Sequence, residues 1–244
     1  MHLNNAPIVE ALIDIRVRPQ ARTEPSKLES IGALIKDRYP TVKPIHQVAT
    51  HVEFKIGVDA VPSVTQRQLG YRFESGDAKY VLQAQTLGFT LSRLAPYETW
   101  EALIEEAQAM WKHYVAVAEP ESIERVATRY INRIHLPLPI GDFDEYLTAP
   151  PFVPKGLPEY VSEFFSRMVI NDPHSQAVII FSQAFEPLGP GNATLPVIVD
   201  IDVFKATSLP TDGTDHWKLL AEFRDIKNTA FFASLTPKTV ELLK

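Results

Sequence analysis

The chain has 244 residues, 45% of them hydrophobic, enough apolar material for a substantial core, so a mainly disordered state is excluded. Its 24 basic and 30 acidic residues leave a formal charge of −6, which exerts no global pull toward a nucleic-acid backbone. The absence of cysteine excludes disulfides, thiol nucleophiles and cysteine-ligated zinc or iron–sulfur centres.

Residues 7–18 alternate, with Val9, Ala11, Ile13, Ile15 and Val17 on one face and Glu10, Leu12, Asp14, Arg16 and Arg18 on the other, which predicts a half-buried strand. Glu10 and Asp14 break the apolar run and no basic segment precedes it, so the N-terminus is not read as a signal peptide. No apolar stretch approaches the roughly 18–20 residues of a membrane span, and a soluble, cytoplasmic protein is expected. Leu28, Ile31, Leu34 and Ile35 predict a helix over 26–39, with Pro25 near its start and Pro40 at its stop.

The stretch 51–59 alternates, with Val52, Phe54, Ile56 and Val58 facing inward. Ser75-Gly76-Asp77 then joins two further strands, and Gly88 precedes another, so an antiparallel meander is expected. The strand at 88–94 is a candidate edge for pairing with a second subunit. Trp100, Leu103, Ile104, Ala107, Trp111, Tyr114, Val115 and Ala118 follow the spacing of an amphipathic helix over about 97–118.

A second series begins at 122–136 with another alternating strand. Short helical candidates at 142–147 and 157–169 follow, then strands at 176–185 and 195–206 and a helix at about 214–229. Thr236-Pro237 reads as the N-cap and first residue of a terminal helix, with Leu235 and Val240 as its hydrophobic staple. The segment 136–158 is rich in proline, yet Ile140, Phe143 and Phe152 recur through it, so it reads as an ordered connection. The expected fold class is α+β: two similar β-α-β-β-α halves, 1–120 and 121–244, with a mainly antiparallel sheet, helices packed on one face and the whole forming one globular unit.

Three stretches, "NNAPIVEALIDIRV", "IERVATRYINRIHLP" and "LPVIVDIDVF", carry a resemblance. As a set they resemble a sporadically distributed family of uncharacterised prokaryotic proteins that begin with an Asn-Ala-Pro-Ile-Val-Glu-Ala strand and carry a central Arg-Tyr-Ile-Asn-Arg-Ile strand. The resemblance spans nearly the whole chain and implies no activity. The patchy distribution is of the sort seen for accessory or defence genes.

The central strand presents Arg125, Ala127, Arg129, Ile131, Arg133 and His135 on one face and Val126, Thr128, Tyr130, Asn132, Ile134 and Leu136 on the other, the core side. If it neighbours the first strand, Glu10 and Asp14 meet Arg129 and Arg133, each cross-strand pair contributing about 0.2–1 kcal/mol. Arginine suits this role because its planar fork holds a carboxylate bidentately. Arg125, Arg129, Arg133, Glu10 and Asp14 are therefore ion-pair candidates; an arginine-lined concave face that binds an anion is the functional reading of the same residues.

Asp200 and Asp202 share one side of a strand whose other side carries Val199, Ile201 and Val203, and two carboxylates at that spacing can share Mg²⁺. With Glu10, Asp14, Arg129 and Arg133 they would resemble the acid-and-base tunnel of triphosphate hydrolases, but the Glu-x-Glu-x-Lys strand is absent, since Glu53 and Lys55 lack the first glutamate. No nucleotide loop, zinc-binding histidine pair or serine elbow is present. His113 on the long helix, and Trp100 and Trp111 on its apolar face, read as packing residues. The leading expectation is a non-catalytic binding or regulatory component with no cofactor, joined by a protein partner or by a second copy. The alternative is a metal-dependent enzyme acting on a phosphate-containing substrate or nucleic acid, with Mg²⁺ on Asp200 and Asp202 and Arg129 and Arg133 as phosphate clamps.

Overall fold

A backbone of period two turns alternating residues into two unlike sheet faces. In the computed structural model this produces nine antiparallel strands in one sheet, with four α-helices, among the described residues. Those are all residues except 1, 2, 4, 21, 22, 56, 57, 159, 186 and 188–190, with side chains described outside 50–63.

In chain order the elements are β1 (Ile8–Arg18), α1 (Ile31–Ile35), β2 (Thr41–Lys55), β3 (Val58–Glu74), β4 (Tyr80–Gln85), β5 (Gly88–Leu94), α2 (Trp100–Ala118), β6 (Ser122–Pro137), β7 (Phe164–Asn171), β8 (Val178–Phe185), β9 (Thr194–Leu209), α3 (Asp215–Ala233) and α4 (Pro237–Leu242). The sheet order is β2-β3-β4-β5-β1-β6-β9-β8-β7. From β1 at the centre the chain crosses to the edge strand β2, returns through β3 and β4 to β5 beside β1, and enters α2. From β6 it crosses to the opposite edge, β7, returns through β8 to β9 beside β6, and enters α3. Both closing helices have 19 residues.

Register carries one apolar face across the sheet: Ile13 stands opposite Leu91 of β5 and Thr128 of β6, and Thr128 stands opposite Val203 of β9. Ala11, Ile13, Ile15, Val126, Tyr130, Ile134, Val199, Ile201 and Val203 are buried as their alternation predicts. Complete burial of each large side chain contributes roughly 1.5–3 kcal/mol. Against this layer, Phe89 meets Trp111 of α2 edge-on at 5.5 Å and Tyr114 at 5.8 Å, while Trp111 reaches His216 of α3 at 5.7 Å. Thr99 caps α2 by accepting the Ala102 N–H at 3.1 Å. Thr236 accepts the Thr239 N–H as the predicted cap of α4.

Several expectations are corrected. The helix predicted over 26–39 is a 3₁₀ turn, Pro25–Ser30, running into the five residues of α1. Leu28, Ile31 and Ile35 are buried but Leu34 is 56% exposed, and Gly32 lies so close under Phe73 that a Cβ would come within 3.1 Å of the ring. The helix expected at 157–169 is instead a loop that leads into β7 at Phe164, because the aromatic and branched run of β7 finds a partner in β8 along its whole length. The candidate at 142–147 contracts to one 3₁₀ turn, Phe143–Glu145, capped by Asp142. The strand at 88–94 is no edge: β5 lies between β4 and β1, and the open edges are β2 and β7. The inward facing of Val52, Phe54, Ile56 and Val58 falls outside the described residues.

The proline-rich connection is tied to the core by Ile140 and by Phe143, which stacks on Phe185 at 5.1 Å, whereas Phe152 is exposed. No described helix is long and apolar enough to cross a membrane.

Candidate functional site

On the face of the central strands opposite the apolar layer, five of the acids and arginines singled out in the sequence form ion pairs, Asp14–Arg125–Asp202 and, separately, Arg129–Asp200. Asp14, with its side chain 8% exposed, accepts hydrogen bonds from Arg125 Nη1 at 3.0 Å, Arg16 Nε at 3.0 Å and Thr90 Oγ1 at 2.8 Å. Arg125 also donates from Nη2 to Asp202 at 3.2 Å and lies 4.2 Å from the Phe204 ring centre. Arg129 engages both oxygens of Asp200, its Nε at 2.8 Å. The hydrogen bonds it donates to Asp200 hold the Arg129 guanidinium above its ordinary pKa, with smaller contributions from the charges of Asp202 and Glu10. Burial raises the Asp202 carboxyl, against the opposing pull of Arg125 and Arg129.

The predicted partners are exchanged. The β1–β6 register sets Asp14 opposite Ala127, within reach of Arg125, while Arg129 and Arg125 turn toward β9, where Asp202 and Asp200 lie level with Arg129 and Ile131. Glu10 makes no ion pair among the described residues, and Arg133 stands apart from these pairs. No group of three acidic or histidine side chains comes together as a metal set among the described residues.

Arg133 instead joins the wall of a cavity of about 700 Å³ at the end of the sheet. The start of β1, the β5–α2 connection, the second half of β6 and the last turns of α3 enclose it. This volume falls within the roughly 300–1,000 Å³ typical of small-molecule sites. Its apolar wall includes Ile8, Trp100 and Phe231, and the cations among its described residues are Arg133, Arg224 and Lys227. Glu98, on the rim, accepts a hydrogen bond from the buried Arg93 at 2.7 Å, and Glu101 lies 3.6 Å from Arg224.

Lys227 is the unusual member. It is 7% exposed, its Nζ lies 3.7 Å from the centre of the Tyr130 ring, and it donates to Asn228 Oδ1 at 2.7 Å. No carboxylate pairs with it among the described residues. Burial pushes its ammonium down to about 7, helped by the nearby charge of Arg224. The Tyr130 and Tyr97 hydroxyls lie 3.2 Å apart, and burial holds both phenols above their ordinary pKa, so at neutral pH they are protonated.

No protein-family model matches the chain, and no curated protein matches it.

Neither Lys227 nor Arg224 stood out as a charge. A positional signal was present: buried residues of α3 fall at His216, Leu220, Phe223, Lys227 and Phe231, so the lysine occupies a core position of an apolar stripe. His216, on the same stripe, is buried against Trp111 and Trp217 without a hydrogen-bond partner, and burial brings it down to about 4. A second concavity of about 920 Å³ under the proline-rich connection is lined by groups such as Phe143, Phe185 and Leu195, with no cation among its described residues.

Proposed function

We propose that the protein is a non-catalytic binding component of a prokaryotic accessory or defence system, acting in the cytoplasm, and that its cavity holds a small organic anion. The observation that supports this reading is Lys227. A buried lysine is ordinarily matched by a carboxylate. Here the two acids among the cavity's described residues are engaged by other cations, Glu98 by Arg93 and Glu101 by Arg224, so a bound anion would complete the charge balance. Arg133 supplies a fork for a carboxylate or phosphate, Arg224 could turn to it from Glu101, which lies 3.6 Å away, and the aromatic wall supplies apolar contact.

Isothermal titration calorimetry with malonate and with inorganic phosphate tests the reading. Binding is expected to weaken about tenfold or more, some 1.4 kcal/mol, in Lys227→Met and in Arg224→Gln. Affinity in both variants equal to that of the parent protein, or no binding of either anion, overturns it.

The metal-dependent alternative has less support. Asp200 and Asp202 already hold Arg129 and Arg125, and Mg²⁺ would have to displace both guanidinium groups. Stabilisation of the protein by Mg²⁺ that disappears in Asp200→Asn would favour that alternative instead. For nucleic acid, the paired face offers little uncompensated positive charge.

The same reading takes the chain as an internal duplication of halves 1–120 and 121–244 with helices on one face. It is supported by the shared route from centre strand to edge, back along the sheet and into a 19-residue helix. Membership of the sporadically distributed prokaryotic family is proposed on the two strand motifs. A protein partner or second copy would meet the sheet at an open edge, where β7 exposes Phe165, Met168, Val169 and Ile170.

A further inference from the structure

We infer that Lys227 is a reactive amine that captures small anionic carbonyl compounds, of the α-oxo acid class, as a Schiff base inside the cavity. This rests on the anion-binding reading and adds the chemistry of the ligand to it.

Position makes the argument. The amine sits on the cavity wall, 7% exposed, between the face of Tyr130 at 3.7 Å and Asn228 Oδ1 at 2.7 Å. The Asn228 amide oxygen accepts one N–H and so fixes the nitrogen. A lysine kept for charge pairing would meet Glu98 or Glu101, but those are turned to Arg93 and Arg224. The titratable groups described in the cavity wall are Arg224 on the same helix, Arg133 and His135 on β6, Glu98 in the β5–α2 connection, Glu101 in the first turn of α2, and the phenols Tyr97 and Tyr130. Burial with Arg224 nearby leaves a large fraction of the amine unprotonated at neutral pH, which an exposed lysine does not achieve.

The step balances without a co-reactant. The nitrogen lone pair attacks the carbonyl carbon, the carbonyl π electrons move to oxygen, and protons from nitrogen pass to that oxygen. The carbinolamine then loses water and leaves a C=N bond. The protonated form of this imine is a cation over the Tyr130 ring, where the ring face stabilises it. Arg133 and Arg224 are the candidates to hold the adjacent carboxylate, which would favour α-oxo acids over neutral aldehydes.

Reductive trapping of the full chain decides the point. The folded protein is treated near pH 7 with glyoxylate and cyanoborohydride, and the modified peptides are mapped by mass spectrometry. Glycolate, an anion of similar size without the carbonyl, is titrated in parallel. Modification at Lys227 is expected to run about tenfold or more faster than at any other lysine, because an exposed lysine with a pKa near 10.4 is almost wholly protonated. Glycolate should slow it by competition. Lys227→Arg should lose the dominant adduct while keeping an unchanged circular dichroism spectrum. Modification spread evenly over surface lysines while glycolate binds overturns the Schiff base and leaves the binding reading standing; failure of both anions to bind removes both. If Lys227→Arg does not fold, the peptide map of the unaltered protein still decides.

Discussion

Arg125 and Arg133 occupy the same strand and face in the sequence pattern, yet their surroundings demand opposite outcomes. Arg125 neutralises Asp14 and touches Asp202, two carboxylates that are largely withdrawn from water, so Arg125→Ala is expected to cost about 1–3 kcal/mol in urea unfolding. Arg133 is exposed and pairs with no described carboxylate, so Arg133→Ala should change stability by no more than about 0.5 kcal/mol and act only on ligand binding. Lys227 makes a pH prediction. Its folded-state pKa is near 7 and the ordinary value is 10.5, so between these limits the unfolded chain binds more protons and stability rises with pH. The slope from this one group approaches about 1.4 kcal/mol per pH unit in mid-window. Lys227→Met should be more stable than the parent near pH 7 and show a correspondingly flatter profile of melting temperature between pH 7 and 10.

Among the elements, the β2–β3 hairpin depends most on one residue. Among the described residues β3 pairs with β4 over Gly70–Glu74, and the rest of its length has only β2 as a neighbour in the sheet. At Gly70 a Cβ would lie 2.0 Å from the Ala84 carbonyl oxygen, a backbone atom that cannot swing away. Gly70→Ala should therefore detach the hairpin from β4 and cost about 1–3 kcal/mol, seen as a lower urea midpoint and faster amide exchange in 70–74. The strands were the legible part: β1, β6 and β9 carry buried residues where alternation puts them, since one face of each is apolar over many residues. The 157–169 segment was misread because its helical pattern is local, whereas β7 owes its state to hydrogen bonds with β8.

For the molecule as a whole, the β1–β6 seam is decisive. It pairs Ile8–Arg18 of the first half with Ser122–Asn132 of the second, and Trp111 meets His216 across the same division. Trp100 and Trp111 report on the first half and Trp217 on the second. With a shared core, tryptophan fluorescence and far-ultraviolet circular dichroism should give coincident urea transitions. Two separated transitions would mean that the halves fold independently and that the seam contributes little. The candidate site belongs to this scale too, since β1, the β5–α2 connection, β6 and α3 each supply part of the cavity wall.

By itself the amino-acid sequence determined the alternation of the strands, the two long amphipathic helices, the absence of cysteine chemistry and the sidedness of the arginines and aspartates. Those properties depend on local periodicity and composition, which need no knowledge of neighbours. Tertiary structure alone decided which acid each arginine meets, that β5 is interior while β2 and β7 are edges, and that a lysine in the apolar stripe of α3 ends beside a cavity with no carboxylate paired to it among the described residues. Register, strand order and burial are relations between distant segments, and the energy of a charge is set by what surrounds it after folding.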